Sequence, residues 1–229
     1  MSTGKILNIL LSQLPDTIMF VAVSWLLGLG LSVLVTAGRL SNLKWLRVIL
    51  EVYVSFVRSI PMILQLFLIY YGLPMLVKLI GINLGSVDRF EMCVIAFVLY
   101  YGAYLSEDLR PAYLAVDRGQ REAAKALGYT PVQVELMVMI PQAVPIALPA
   151  LGNEILNMVH QSSLLFALGV VDIMGEAQQT INENYTVAPV LVYLLAGLIY
   201  WGLTVVIDLV RQMAEKYTGR FMEVEETKK

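Results

Sequence analysis

A stripe of polar side chains interrupts the apolar segment that ends near residue 163. Glu154, Asn157 and Gln161 recur at intervals of three and four residues, so a helix would place them on one face. A carboxylate can bind an ammonium group, and amides and hydroxyls can bind a carboxylate without burying a second charge. We therefore expect Glu154, Asn157, Gln161, Ser162 and Ser163 to line a path for a small zwitterion. Hydrogen bonding between packed helices is the alternative.

The composition of the chain is strongly hydrophobic, so a stripe of polar side chains is energetically unfavourable and indicates a function. Hydrophobic residues form 58% of the 229 residues and charged residues 15%, with a mean hydropathy of +0.71; soluble domains carry about 25% charged residues. We predict an all-α membrane protein. A formal net charge of −2 gives no reason to expect nucleic acid as a partner. The single cysteine, Cys93, excludes an intrachain disulfide, and the single histidine disfavours a metal site.

About five segments are long and apolar enough to cross a bilayer, which takes roughly 20 residues. They lie at about 14–38, 48–82, 89–109, 132–161 and 187–211, within a single transmembrane domain covering residues 1–229. Arginine and lysine cluster after the first, third and fifth segments, which predicts that these regions face the cytoplasm, with the N-terminus outside and the C-terminus inside. Residues 162–187 would form an external loop carrying a short, partly inserted helix.

Arg58 and Tyr101 are further candidates for the polar path. Arg58 precedes an uncharged stretch, and a charge at membrane depth needs a partner. We expect it to pair with an acid or a carbonyl, or to contact the solute. Pro61 is expected to break the second segment just beyond it. Tyr101 can stack on a solute or belong to an aromatic belt at the membrane interface.

The cytoplasmic loop at about 110–131 has the residue types of a helix rather than a linker. Residues 117–128 are rich in helix formers, Gly128 suits a left-handed C-terminal cap, and Pro131 prevents further propagation. The apolar side chains of Ala123, Ala126 and Leu127 would dock into a groove on another protein or lie on lipid.

The same loop carries a spaced motif. Glu122, Ala123 and Ala124 are followed after three residues by Gly128, and after nine more by Val138-Met139-Ile140-Pro141. This resembles the EAA motif of ABC importer permeases, with Val138 and Ile140 replacing isoleucine and leucine. The runs at 57–61, 65–74, 102–107, 141–143, 148–149, 162–165 and 169–170 are similar to those of the polar amino-acid branch.

The resemblance implies a type I ABC importer permease fold in a prokaryotic plasma (inner) membrane, crossed several times. It also implies a second permease (a copy or a sister chain), two cytosolic ATPase subunits and an external substrate-binding protein. Amino acids would move into the cytoplasm by alternating access. Glu122, Ala123, Ala124 and Gly128 would couple the chain to the ATPase, which would hold ATP and Mg.

The sequence argues against catalysis by this chain. It contains no GxxxxGK[ST] loop, so ATP hydrolysis would belong to a partner, and no cofactor is expected here. The alternative is an ion-coupled secondary transporter of small polar solutes. Such transporters usually have internal repeats and more spans.

Overall fold

The protein is described by a computed structural model that covers the backbone of residues 1–81, 83–84, 86–184 and 186–226, with side chains as far as residue 218. These residues form helices and connecting turns without a strand, which confirms the all-α prediction. The α-helices are α1 (Thr3–Ser12), α2 (Leu14–Leu40), α3 (Lys44–Ser59), α4 (Met62–Phe67), α5 (Leu73–Lys78), α6 (Arg89–Leu114), α7 (Arg118–Ala126), α8 (Pro131–Val134), α9 (Ile140–Ser162), α10 (Ile173–Glu183) and α11 (Pro189–Glu226). Short π-helical turns at Leu68–Gly72 and Glu135–Met139 and a 3₁₀ turn at Ser163–Leu168 extend three of them.

Four helical stretches within the described ranges are long and apolar enough to cross a membrane: Thr3–Leu40, Arg89–Leu114, Pro131–Leu168 and Pro189–Thr218. A fifth candidate is the pair Lys44–Ser59 and Met62–Lys78, which is bent by 115°. The break lies where Pro61 was expected to cause it, because Ile60, the residue before the proline, has an extended backbone. The predicted segment 48–82 is therefore divided into α3 and the helical stretch Met62–Lys78, which contains α4 and α5.

The order of contacts gives the relative directions of the long helices. Gly28 packs on Tyr101, and the Thr36 hydroxyl donates to the Ser106 carbonyl at 3.4 Å, so α2 and α6 run parallel. On α9 and α11, Gly152 lies beside Arg211 and His160 beside Thr204, so these two helices are antiparallel. The basic ends of α2 and α6 therefore lie on one side of the molecule. Which side faces the cytoplasm stays a prediction.

The contact between α2 and α6 is close because glycine provides the space. A methyl group at Gly102 would lie 2.6 Å from Leu31 Cδ2, so the two backbones approach more closely than larger residues allow. Nearer the start of both helices, Phe20 packs edge-on against Phe90 and Phe97. This core positions α6 with its polar end beside α9.

The segment after α9 turns back onto the bundle through a buried carboxylate. Asp172 caps α10 by accepting from the Gly175 N–H at 2.8 Å, and it also accepts from the Tyr200 hydroxyl at 2.9 Å. Burial raises the pKa of the Asp172 carboxyl, and these hydrogen bonds only partly offset the shift. The apolar side of α10 packs against α1 and α11.

Candidate functional site

Glu154 lies at the centre of a polar group between α6, α9 and the end of α3. Its side chain lies close to that of Asn157, and it interacts electrostatically with Asp108 and Arg58. Glu154 is half-buried and Asn157 is exposed. The structure thus brings together three residues predicted for the polar path, and it adds Asp108, which sequence reasoning missed.

Buried polar atoms without a protein partner surround Glu154. In the described part of the chain they include the Tyr101 hydroxyl, Asp108 Oδ2 and Gln161 Oε1. Tyr101 also interacts electrostatically with Glu154, and the side chain of Gln161 lies close to that of Tyr100. A buried polar atom left unsatisfied costs about 1–3 kcal/mol. These three atoms leave hydrogen-bonding capacity beside Glu154 that a polar group can satisfy.

Arg58 pairs with an acid, as expected. Its Nη1 lies 2.7 Å from Glu107 Oε2, and its guanidinium stacks on the Tyr104 ring at 5.5 Å from the centroid. The other Glu107 oxygen accepts from Arg39 at 2.5 Å. Glu107 therefore ties the ends of α2 and α3 to α6. The signal for it in the sequence was the acidic pair that closes the third apolar segment.

Ser162 and Ser163 do not join this group. The Ser162 hydroxyl donates to the Val159 carbonyl at 2.8 Å, and the Ser163 hydroxyl donates to the His160 carbonyl at 2.7 Å. Both satisfy their donors within their own helix. His160 faces α11, where its Nε2 lies 3.1 Å from the Thr204 hydroxyl. Within the described ranges, no cluster of three or more histidine, cysteine or acidic residues is arranged to hold a metal ion.

The loop between α6 and α9 carries a short capped helix, α7. Asp117 Oδ1 accepts from the Gly119 N–H at 2.6 Å at its start. At its end the Gly128 N–H donates to the Lys125 carbonyl and the Tyr129 N–H donates to the Ala124 carbonyl. These two hydrogen bonds form a Schellman motif. Gly128 adopts φ +86°, the left-handed conformation predicted for it.

The side chains of α7 divide into an anchored set and an exposed set. Ala124 is buried against Val134 and Met139. Glu122, Ala123 and Ala126 are exposed, and Leu127 is 79% exposed. The docking side predicted from the sequence therefore faces away from the molecule.

Charged contacts fix α7 to the membrane helices. Arg121 Nη1 lies 2.8 Å from Glu135 Oε1, and the Tyr113 hydroxyl donates to Glu135 Oε2 at 2.7 Å. Arg121 also contacts the Tyr113 hydroxyl and ring. Because Tyr113 belongs to α6 and Glu135 leads into α9, a force on α7 acts on both.

Comparison with known proteins agrees with this arrangement. Residues 28–218 match the model of the family described as "Binding-protein-dependent transport system inner membrane component". The chain belongs to this family of permeases. It is therefore a membrane protein with several spans and of prokaryotic origin.

The similar curated relatives are permeases of amino-acid ABC transporters. The chain is 36% identical to the probable amino-acid ABC transporter permease protein PatM of Vibrio harveyi, over 92% of each chain. It is 32% identical to the L-cystine transport system permease protein TcyL of Bacillus subtilis, over 93% of this chain and 88% of that protein. These matches confirm the resemblance to amino-acid ABC transporter permeases.

Solved structures agree on the fold. The crystal structure of an amino acid ABC transporter with histidines matches with a TM-score of 0.78 and 28% identity, over 93% of this chain and 96% of that one. The MetNI methionine ABC transporter in an inward-facing conformation has a TM-score of 0.75 at 21% identity, over 95% of this chain and 99% of that one, and supports the fold alone. The predicted permease fold of a type I ABC importer is confirmed.

Proposed function

We propose that this chain is the permease subunit of an ATP-driven importer that moves amino acids into the cytoplasm by alternating access. The observation that carries the proposal is α7, a capped surface helix joined to α6 and α9 and exposing Ala123, Ala126 and Leu127. This helix would bind in a groove of an ATPase subunit. The assembly would contain two ATPase subunits, which would hold ATP and Mg. A second permease, a copy or a sister chain, and an external substrate-binding protein would complete the assembly.

Energy would pass from the ATPase to the spans through the Arg121–Glu135–Tyr113 contacts. Displacement of α7 would be transmitted to the end of α6 and the beginning of α9 together, because Glu135 binds both Arg121 and Tyr113. Glu122 is exposed and free to meet a basic side chain of the ATPase. Gly128 sets the angle at which the chain leaves the helix.

The polar group around Glu154 would bind the amino acid during transport. Glu154 and Asp108 offer carboxylates for the ammonium group. Arg58 carries five N–H donors, of which Glu107 engages part, so the remainder can meet the substrate carboxylate. Asn157, Gln161 and the Tyr101 hydroxyl would supply neutral hydrogen bonds. Ser162 and Ser163 would contribute through helix packing, since their hydroxyls bond to their own helix.

Purification from native membranes in mild detergent tests the proposal. We expect a stoichiometric ATPase to co-purify, and liposomes containing the complex to take up an amino acid only with ATP. Labelled arginine, glutamine, histidine and cystine would be offered in turn. A chain that purifies alone and transports on an ion gradient would instead establish the secondary transporter.

A substitution in α7 tests its coupling role separately. Glu122→Lys reverses an exposed charge, so the protein should insert and fold normally while ATP-dependent uptake falls at least tenfold. Glu51→Lys makes the same change at an exposed acid on α3 and should leave uptake unchanged. Full uptake by Glu122→Lys would exclude coupling through this face.

A further inference from the structure

Helix α3 has three faces with different surroundings. Successive residues turn by 100° around an α-helix, which groups its side chains into three stripes. The packed stripe, on α2 and α6, consists of Leu46, Leu50, Tyr53, Val54 and Val57. The apolar stripe, with 57–64% of each side chain exposed, consists of Trp45, Ile49, Val52 and Phe56. The charged stripe consists of Lys44, Arg47, Glu51 and Arg58.

The direction of α3 differs from that of a membrane span. The axis of α3 makes an angle of 115° with that of the following helical stretch, Met62–Lys78. The α3 axis therefore lies about 25° (115 − 90) from the plane perpendicular to that stretch. Spanning helices are tilted by roughly 20° on average. A helix in this orientation lies close to the plane of the membrane if Met62–Lys78 crosses it.

The charged stripe supports the same orientation. Lys44 and Glu51 are exposed, and Arg58 retains exposed guanidinium surface beyond its pair with Glu107. Across a membrane, a helix 16 residues long would carry these charges from the surface to the hydrocarbon centre, where each is unfavourable. In the plane of the membrane, all of them stay at one depth beside water and headgroups.

We propose that α3 lies in the membrane–water interface, with Trp45, Ile49, Val52 and Phe56 among the lipid acyl chains, and that the second crossing begins at Met62. Aromatic and aliphatic side chains on one side and lysine and arginine on the adjoining side characterise interfacial helices. Trp45 belongs to the residue type that is enriched at this depth. Lys44, which is exposed, then faces anionic lipid headgroups.

Depth measurements along the apolar stripe test this placement. A cysteine replaces Trp45, Ile49, Val52 or Phe56, one at a time, in a Cys93→Ala background that retains uptake. A spin label is attached, and collision with oxygen and with a water-soluble nickel complex is measured in liposomes of phosphatidylethanolamine and phosphatidylglycerol. We expect all four labels at one depth within a few ångströms, and labels at Lys44 and Glu51 accessible to nickel.

Exposed positions in the stretch Met62–Lys78 provide a matched control for the depth measurement. Leu64, Leu68, Tyr71 and Met75 have the same spacing as the four test positions and are also exposed. Their labels should change depth by about 16 Å over 11 residues. The same gradient along Trp45–Phe56 would show that α3 is part of a span. Labels shielded from both reagents and coupled to labels in a second copy would show a protein interface. Either result would overturn the proposal.

Discussion

Arg58 at the end of α3 forms an ion pair of 2.7 Å with Glu107 on α6, 49 residues away in sequence. Arg58 lies shortly before Pro61, where the chain changes direction, and Glu107 also pairs with the buried Arg39. One carboxylate therefore fixes the bend and the helix ends around the polar site.

Glu107→Gln is expected to destabilise the protein strongly. The substitution leaves Arg39, which is 8% exposed, without its acid, and breaking a buried ion pair costs about 3 kcal/mol. Thermal unfolding of the purified complex in detergent measures the loss. Glu51→Gln removes an exposed acid and should leave the melting temperature unchanged. Equal melting temperatures for wild type and Glu107→Gln would mean that Arg39 finds another acceptor.

Gly128→Val should impair uptake, whereas Gly128→Asn should preserve most of it. A left-handed backbone conformation costs a residue with a side chain about 1–2 kcal/mol, and asparagine tolerates it better than a β-branched residue does. ATP-dependent uptake normalised to the amount of protein in the membrane is the measurement. Similar activities for the two variants would show that the conformation of Gly128 does not matter for coupling.

Glu154→Gln should raise the KM for amino-acid uptake at least tenfold or change the preferred substrate, because the ammonium group loses a carboxylate partner. The amide keeps the size of the side chain, so folding should be preserved. Glu51→Gln, which makes the same change at an exposed acid on α3 outside this polar group, serves as the control and should transport normally. Wild-type kinetics for Glu154→Gln would assign Glu154 to helix packing.

Asp172→Asn should make stability less dependent on pH. The folded protein raises the pKa of this carboxyl, so its contribution to stability is fully present below the unfolded pKa of about 3.9 and is lost as pH rises through the folded pKa. Wild-type melting temperatures should fall relative to those of the variant as pH rises above the unfolded pKa of about 3.9. Parallel curves would show that Asp172 does not titrate over the pH range measured.

Local properties of the sequence predicted most of the helices. Apolar length indicated the spans, and the proline and glycine residues at 61 and 128 act on their own backbone, so their effects could be read directly. The segment 48–82 was predicted as one membrane segment broken at Pro61, but neither hydropathy nor the proline gives the angle of the break. The observed angle of 115° depends on how α3 and Met62–Lys78 pack on the neighbouring helices.

The polar site was predictable only along single helices. Glu154 and Asn157 followed from helical spacing, but Asp108 lies on another helix, and its proximity depends on how α6 and α9 pack. The hydroxyls of Ser162 and Ser163 donate to carbonyls three residues earlier, which spacing on a helix face does not register. That these two residues line the path stays a prediction.

The Arg39–Glu107–Arg58 cluster also constrains how the protein is made. During synthesis both arginines emerge well before Glu107, so neither has its carboxylate when its own segment reaches the membrane. Until α6 follows, the two charges must stay at the aqueous boundary, since unpaired arginine is unfavourable in hydrocarbon. Insertion of α6 then draws the ends of α2 and α3 together, so the bend at Pro61 reaches its final geometry only after the third segment is in place.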